Sequence, residues 1–269
     1  MTKVMGIVNV TPDSFSDGGQ FFRPEEAIRR ARNLIADGAD IIDLGGESTR
    51  PGATPLGWEE EWARLEPVLA GLVPRVGQSV NRSIGQSVNR SICQSVNLSI
   101  EQSNNRTILS VDTYHPETAA RAIAAGAGVI NCVMSEPIPE MVRLLEGSSV
   151  ELVVPWREDL RRETEGLKRF WNRIYIDPMI GFGTTREEDV ALLKSIPELA
   201  KAGRVLVGAS RKRIVKKLTG EKLTGKNLGG NLGIAVWAAM NGASVVRVHD
   251  VKETVQALKV IEALGCKIP

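Results

Sequence analysis

PEEAIRRARNLIADGADIIDL, residues 24–44, holds both halves of the unit that decides the fold. Pro24 lacks the N–H that a first helical residue leaves unbonded, and Glu25 and Glu26 follow where a helix N-terminus favours negative charge. Ala27, Ile28, Ala31, Leu34 and Ile35 form one helical face, and Gly38 stops the helix. Residues 41–44 then read Ile-Ile-Asp-Leu, a short aliphatic run of the kind found in strands covered on both faces.

The same alternation runs outward in both directions. Strands are predicted at 4–8, 41–44, 108–111, 129–130, 150–154, 174–176, 205–207 and 245–248. Helical patterns fit 58–73, 117–125, 139–146, 158–170 and 187–196. Further apolar helical faces are Leu232, Ala235, Val236 and Ala239, with Gly242 as stop, and Val251, Val255, Leu258 and Ile261. Eight strands, each followed by a helix, is the count of an α/β (β/α)₈ TIM barrel, which typically needs about 250 residues. The chain has 269 residues, so residues 1–269 read as a single barrel domain carrying an insertion. A doubly wound open sheet shares the alternation and is the structural alternative.

Composition excludes several classes. Lys+Arg is 34 and Asp+Glu is 32, a net charge of +2, too balanced for a protein that coats nucleic acid. No run reaches the ~18 apolar residues that a membrane helix needs, so no membrane partner is expected. The stretch MTKVMGIVNVTPDSF is too short in apolar residues for a signal peptide. Cys93, Cys132 and Cys266 are odd in number and widely spaced, which suggests neither a disulfide framework nor a zinc ribbon. A reduced, cytoplasmic location is the expectation. Aromatics are only 4%, so the core has to be aliphatic.

Residues 77–108 depart from the alternation. They read GQSVNRSI, GQSVNRSI, CQSVNLSI and EQSNNRTI, an octad repeated four times with the last copy degenerate. The four-residue spacing of Val80, Ile84, Val88, Ile92, Val96 and Ile100 keeps one face on a strand but drifts by about 40° per step on a helix. The segment reads as an extended or turn-rich surface insert before strand 3, at the end of the barrel opposite the C-terminal strand tips. Asn81, Asn89, Asn97 and Asn105 begin N-x-S/T triplets, which matter for glycosylation only in a secreted protein. A small solenoid or assembly surface is the alternative reading.

The chemistry lies at the strand ends. Asn9, Asp43, Asp112, Asn131, Asp177, the Ser210-Arg211-Lys212 group, and Arg247 with His249 fall at or just beyond the C-termini of the predicted strands. In a parallel barrel these tips converge on one mouth, where buried carboxylates and carboxamides need partners or a ligand. A lone Asp after a strand is ordinarily a helix cap; so many polar tips at corresponding positions suit a flat heterocycle rich in N–H groups. Arg50, in the loop Gly45-Gly46-Glu47-Ser48-Thr49-Arg50-Pro51-Gly52, joins Arg247 and His249 as a candidate anion-binding group. There is no Ser-His-Asp order, HExxH or cysteine nucleophile. The site therefore looks built for positioning and electrostatics.

MGIVNVTPDSFSDGG (5–19), IIDLGGESTRPGA (41–53), SVDT (110–113), VIN (129–131), DPMIGFG (177–183), GASRKR (208–213) and RVHDVKET (247–254) together resemble dihydropteroate synthases. The resemblance implies a transferase with a (β/α)₈ fold, usually a homodimer. Such enzymes condense 6-hydroxymethyl-7,8-dihydropterin diphosphate with 4-aminobenzoate and release diphosphate, in folate synthesis. It implies that Asp112, Asn131, Asp177 and Lys212 bind the pterin edge while Arg247 stacks on the ring. Thr49, Arg50, Arg247 and His249 would hold the diphosphate, and Asn9 would ligate a Mg²⁺ bridging it. Phe182, Ser210 and Pro51 would frame the arylamine. Arg50, Lys212, Arg247 and His249 are the implied catalytic set, with Asp43 and Asp13 in supporting or loop positions.

The chain departs from that pattern in several places. Cys132 stands where an Asp is usual after the fourth-strand Asn, and Met179-Ile180 replaces a usual Gly-Phe. The fifth strand lacks its usual Met/His ending, the link to strand 6 is short, and the octads are foreign. Two other classes share parts of the pattern: a pterin-dependent methyltransferase, and a pterin-binding protein without catalysis.

Overall fold

A computed structural model describes residues 1–11, 23–48, 54–73, 107–156 and 165–265. The elements run β1 (Lys3–Asn9), α1 (Pro24–Ala36), β2 (Ile41–Gly45), α2 (Trp58–Leu72), β3 (Ile108–Asp112), α3 (Pro116–Ala124), β4 (Val129–Asn131) and α4 (Ile138–Leu145). They continue with β5 (Glu151–Pro155), α5 (Glu165–Lys168), β6 (Ile174–Asp177), α6 (Arg186–Ala202), β7 (Arg204–Val207), α7 (Arg213–Thr219), α8 (Leu228–Met240), β8 (Ala243–Val248) and α9 (Val251–Ala263). All eight strands pair in parallel and β8 closes on β1, a closed barrel rather than an open sheet.

The α1–β2 unit forms as its sequence dictates. Pro24 starts α1, Ala27, Ala31 and Leu34 are buried, and Gly38 turns the chain at φ +99°. An L side chain is strained at that angle. Other boundaries differ from expectation. β5 is shifted by one residue, and of the helix expected over 158–170 the described part is Glu165–Lys168. The helix expected over 187–196 runs instead from Arg186 to Ala202. A Thr185–Glu188 capping box starts it, and it passes through Pro197. Proline cannot bond the carbonyl four residues back, that of Leu193. The Trp237 indole N–H donates to this carbonyl at 3.5 Å, so a tertiary contact replaces the missing helical bond.

Two apolar layers hold the barrel. Between sheet and helices lies a continuous aliphatic layer that includes Val8, Ile42, Leu44, Leu65, Ile130, Leu152, Ile176, Val207 and Val246. Inside the barrel, Met5, Ile41, Val129, Val153, Tyr175, Leu206 and Val245 form a second, smaller cluster. Side chains alternate faces along a strand, so the next inward residue lies two positions on. Stepping by two from Ile41, Val129, Tyr175 and Val245 gives Asp43, Asn131, Asp177 and Arg247. The apolar plug and the polar mouth are therefore successive layers on the same strands.

Most of the octad segment, residues 77–106, lies outside the described residues. Its flanks lie at the N-terminal end of the strands: Thr107 Oγ1 donates to Ala39 O at 3.3 Å, and the Ile108 amide to Asp40 O at 2.9 Å.

Candidate active site

Asp43 is the hub of the mouth. It is fully buried, and it accepts from Ser110 Oγ at 2.6 Å, Asn131 Nδ2 at 3.1 Å and Arg247 Nε at 2.6 Å. Arg247 Nη2 also donates to Asp112 Oδ2 at 2.7 Å. One guanidinium edge thus bridges two carboxylates. Register explains the convergence: Asp43 lies opposite Ser110 across β2–β3, and Asp112 opposite Asn131 across β3–β4. None of these aspartates caps a helix.

Asn131 supplies the sharpest pointer to a ligand. Its Nδ2 is committed to Asp43, while its buried Oδ1 has no hydrogen-bond partner. A buried acceptor left unbonded costs about 1–3 kcal/mol, a cost that a ligand N–H would remove.

Asp177 is buried and accepts from the Met179 amide at 2.7 Å. Gly208, just past β7, puts no side chain between Asp177 and Arg247. A Cβ there would touch Arg247 Cβ at 3.8 Å and Asp177 Oδ2 at 3.9 Å, so a larger side chain would crowd both. Lys212, at the start of α7, donates to Ile180 O at 2.8 Å and holds its Nζ 4.1 Å from the centre of the Phe182 ring. Ser210 Oγ lies 3.1 Å from His249 Nδ1, and the Arg30 guanidinium donates to His249 O at 2.9 Å. Asn9 ends β1 opposite Gly45, which in turn lies opposite Asp112.

Burial dominates the electrostatics. It pushes the Asp112 carboxyl up to about 7, even with Arg247 alongside, and raises Asp177 as well. It lowers Lys212 to about 8, against the opposing pull of Asp177. Burial also opposes the Arg247 charge, but Asp43 and Asp112 outweigh it and hold the guanidinium more firmly protonated than usual. Burial takes His249 down to about 3, so this imidazole is neutral at ordinary pH and offers a hydrogen bond rather than a charge.

Residues 5–84, 94–169 and 157–249 match the family model described as pterin binding enzyme. The dihydropteroate synthase of Neisseria meningitidis serogroup B is 36% identical over 286 residues, covering 99% of this chain and 94% of the relative. The Xanthomonas albilineans dihydropteroate synthase, solved with 4-aminobenzoic acid, matches with a TM-score of 0.76 and 36% identity, covering 100% of this chain and 94% of that one. The chain belongs to the dihydropteroate synthase family. A structure of the Xanthomonas albilineans enzyme in complex with 7,8-dihydropteroate matches with a TM-score of 0.72 and 33% identity, covering 98% and 94% of the two chains.

Within that family frame, the structure brings Asp112, Asn131, Asp177, Lys212, Arg247, Ser210 and His249 to one end of the barrel, with Phe182 under Lys212. Thr49, Arg50, Pro51 and Asp13 lie outside the described residues. Sequence reasoning missed two contributors: Ser110, and the central place of Asp43. It also missed Glu47, whose Oε1 accepts from Tyr114 OH at 2.8 Å and from the Leu56 amide at 3.2 Å. Ser110 was detectable, since it sits two residues before Asp112 and so shares its inward face.

The family departures have structural readings. Cys132 is fully buried in the sheet–helix layer, facing away from the mouth, and its thiol donates to Met134 O at 3.3 Å. Burial lifts that thiol to about 12. Met179 holds φ +62°, the conformation in which the usual glycine is unstrained.

Proposed function

We infer that the chain is a dihydropteroate synthase: it condenses 6-hydroxymethyl-7,8-dihydropterin diphosphate with 4-aminobenzoate and releases diphosphate, a step of folate biosynthesis. The observation that carries this reading is the buried, unbonded Oδ1 of Asn131, which lies opposite Asp112 at the barrel mouth that Asp177 and Lys212 share. Such an array of acceptors with one donor matches the N–H-rich edge of a pterin. Arg247, its edge held by Asp43 and Asp112, stacks a face on the ring. The relatives described above are synthases rather than methyltransferases.

The chemistry follows from position and charge. The bond between the pterin methylene carbon and the bridging diphosphate oxygen breaks, and the electron pair leaves with diphosphate. Arg247, the neutral His249 as hydrogen-bond donor, and Thr49 and Arg50 hold that leaving group. The ring, fixed by Asp112, Asn131 and Asp177, carries the resulting positive charge. The arylamine nitrogen, framed by Phe182, Ser210 and Pro51, attacks the methylene and loses a proton to water. Its lone pair is already nucleophilic, so no strong base is needed.

Magnesium fits the donors present. Among the described residues no three His, Cys, Asp or Glu side chains form a metal cage, and Asn9 offers one hard carboxamide oxygen at the tip of β1. That suits an ion held jointly by Asn9, water and diphosphate oxygens. When bound, it would neutralise charge on the leaving group. Asn9→Ala should weaken the magnesium dependence of diphosphate binding in calorimetry.

A homodimer is supported by α8, which is apolar nearly all round, with Trp237 47% and Met240 44% exposed; Leu218 and Leu223 stand exposed nearby. Met240→Lys should yield monomers in light scattering. A reduced, cytoplasmic setting is proposed on the three cysteines, odd in number and widely spaced, which suggest no disulfide framework. Among the described residues no helix is long and apolar enough to cross a membrane.

Diphosphate release, measured with the pterin diphosphate, Mg²⁺ and a panel of arylamines, tests the reading. Release that requires the amine and is fastest with 4-aminobenzoate supports it. Release without amine dependence overturns it.

A further inference from the structure

Asp189, in the first turn of α6, is fully buried. Its Oδ1 accepts from the Gly181 amide at 2.7 Å and from the Thr184 hydroxyl, and its Oδ2 is buried without a hydrogen-bond partner. The Gly181 N–H and the Ile180 carbonyl belong to one planar peptide unit. Lys212 Nζ donates to that carbonyl at 2.8 Å. A single peptide plane therefore lies between an aspartate on its N–H side and the lysine ammonium on its C=O side. The Gly181 amide makes a second, longer bond to Thr184 Oγ1 at 3.1 Å, whose own hydroxyl is held by Asp189. Rotating the plane would break these bonds and the Lys212 bond together, and the Asp189 and Lys212 bonds each polarise the peptide in favour of the other.

The surroundings leave that plane little latitude. Gly181 holds φ +80°, and a Cβ there would come within 2.9 Å of Lys212 Cδ. Met179 at φ +62° and Arg211 at φ +59° are the positive-φ non-glycine residues among those described. They flank the two halves of this contact, on the β6–α6 and β7–α7 loops. Strain of that kind persists only where neighbouring bonds over-determine the backbone. Arg213 adds a bond from its guanidinium to Thr184 O, tying the second loop to the first.

We propose that Asp189 is a positioning residue, which fixes the Ile180–Gly181 peptide so that its carbonyl holds the Lys212 ammonium over the Phe182 ring at the pterin pocket. This rests on the reading that Lys212 and Phe182 face substrate. Asp189 also acts through charge. The groups facing Lys212 are Asp177 from β6, Asp112 from β3, Arg247 from β8 and Asp189 from α6. The three carboxylates favour the ammonium against burial and against Arg247.

The test compares wild type, Asp189→Ala and Asp189→Asn in diphosphate release from about pH 6 to about pH 10. Lys212 is also titrated directly by isotope-labelled lysine NMR, its resonance assigned by its loss in Lys212→Arg. Asp189→Ala should raise KM for the pterin diphosphate about tenfold or more. Asp189→Asn keeps an oxygen for the Gly181 and Thr184 donors. It should restore KM to within about threefold, while the Lys212 titration moves to lower pH because the charge is gone. A merely structural aspartate would lower the melting temperature and leave that titration in place. Wild-type KM in Asp189→Ala, Asn damage equal to Ala damage, or an unmoved Lys212 titration in Asp189→Asn would each overturn the proposal. If the Ala variant does not fold, the Asn variant and the NMR titration decide it. If wild type releases no diphosphate, the functional reading fails while the NMR titration still judges Asp189.

Discussion

Replacing Asp43 with Ala removes the carboxylate on which the mouth is assembled. Three donors lose their acceptor: Ser110 Oγ at 2.6 Å, Asn131 Nδ2 at 3.1 Å and Arg247 Nε at 2.6 Å. One of the three is a guanidinium whose side chain is only 17% exposed. Removing one partner of a buried ion pair costs about 3–5 kcal/mol, because the other charge is left uncompensated. In a chain of this size that loss lowers the melting temperature by about 6–20 °C. Arg247 keeps its second anchor on Asp112, so the variant should fold but hold the guanidinium in the wrong plane. Urea denaturation should give the stability loss, and calorimetry with a pterin monophosphate should show weaker binding. A double variant, Asp43→Leu with Arg247→Met, sharpens the test. Replacing both partners by apolar groups should recover the part of the stability lost to the unpaired charge, though not the part lost at Ser110 and Asn131, and none of the binding. Without Arg247, burial leaves Asp112 protonated, so no new unpaired charge appears. A loss below about 1 kcal/mol in the single variant, or a double variant no more stable than the single, would refute the reasoning.

Further outcomes can be checked independently. Pterin binding should follow a bell-shaped pH profile, rising as Asp112 ionises near about 7 and falling as Lys212 loses its proton near about 8; Lys212→Arg should remove the upper limb. The Asp112 carboxyl holds its proton to about 7 when folded, against 3.8 ordinarily, so its contribution to stability is full below about pH 4 and is lost as pH rises toward 7. Asp112→Asn should flatten that decline in urea midpoints. Met179→Gly should relieve a left-handed backbone and raise stability by up to about 1 kcal/mol with kcat unchanged. Gly208→Val should crowd Arg247 and Asp177 and abolish pterin binding, while circular dichroism stays native. Deleting residues 77–100 should leave kcat/KM within about twofold, since the flanks of that segment lie at the opposite end of the barrel.

The strands are easily read in the sequence because each is a short aliphatic run between helical patterns, and closure follows from counting them. The polar tips are readable for the same reason: Asp43, Asp112, Asn131, Asp177 and Arg247 interrupt runs that are otherwise apolar. What escapes is what depends on contact between distant segments. The residue before a proline avoids the helical conformation, so the sequence argues for stopping α6 at Ile196. Trp237, from another helix, supplies the donor that lets α6 continue. Asp189 reads locally as an ordinary acidic residue in a first turn, one of three with Glu187 and Glu188. Only the fold shows that this one turns inward to a loop peptide. The central place of Asp43 escapes likewise, because its donors come from β3, β4 and β8.

The foot of the barrel offers a practical opening. Val73 is fastened by its amide to Leu69 O at 2.9 Å, and Thr107 and Ile108 are tied to the turn between α1 and β2. Val73 and Thr107, the described residues on either side of the octads, are thus each bonded to the scaffold without help from the other. A foreign peptide, a fluorescent reporter or an affinity handle exchanged for the octads there would be grafted far from the chemistry, and the barrel would serve as a carrier that still turns over.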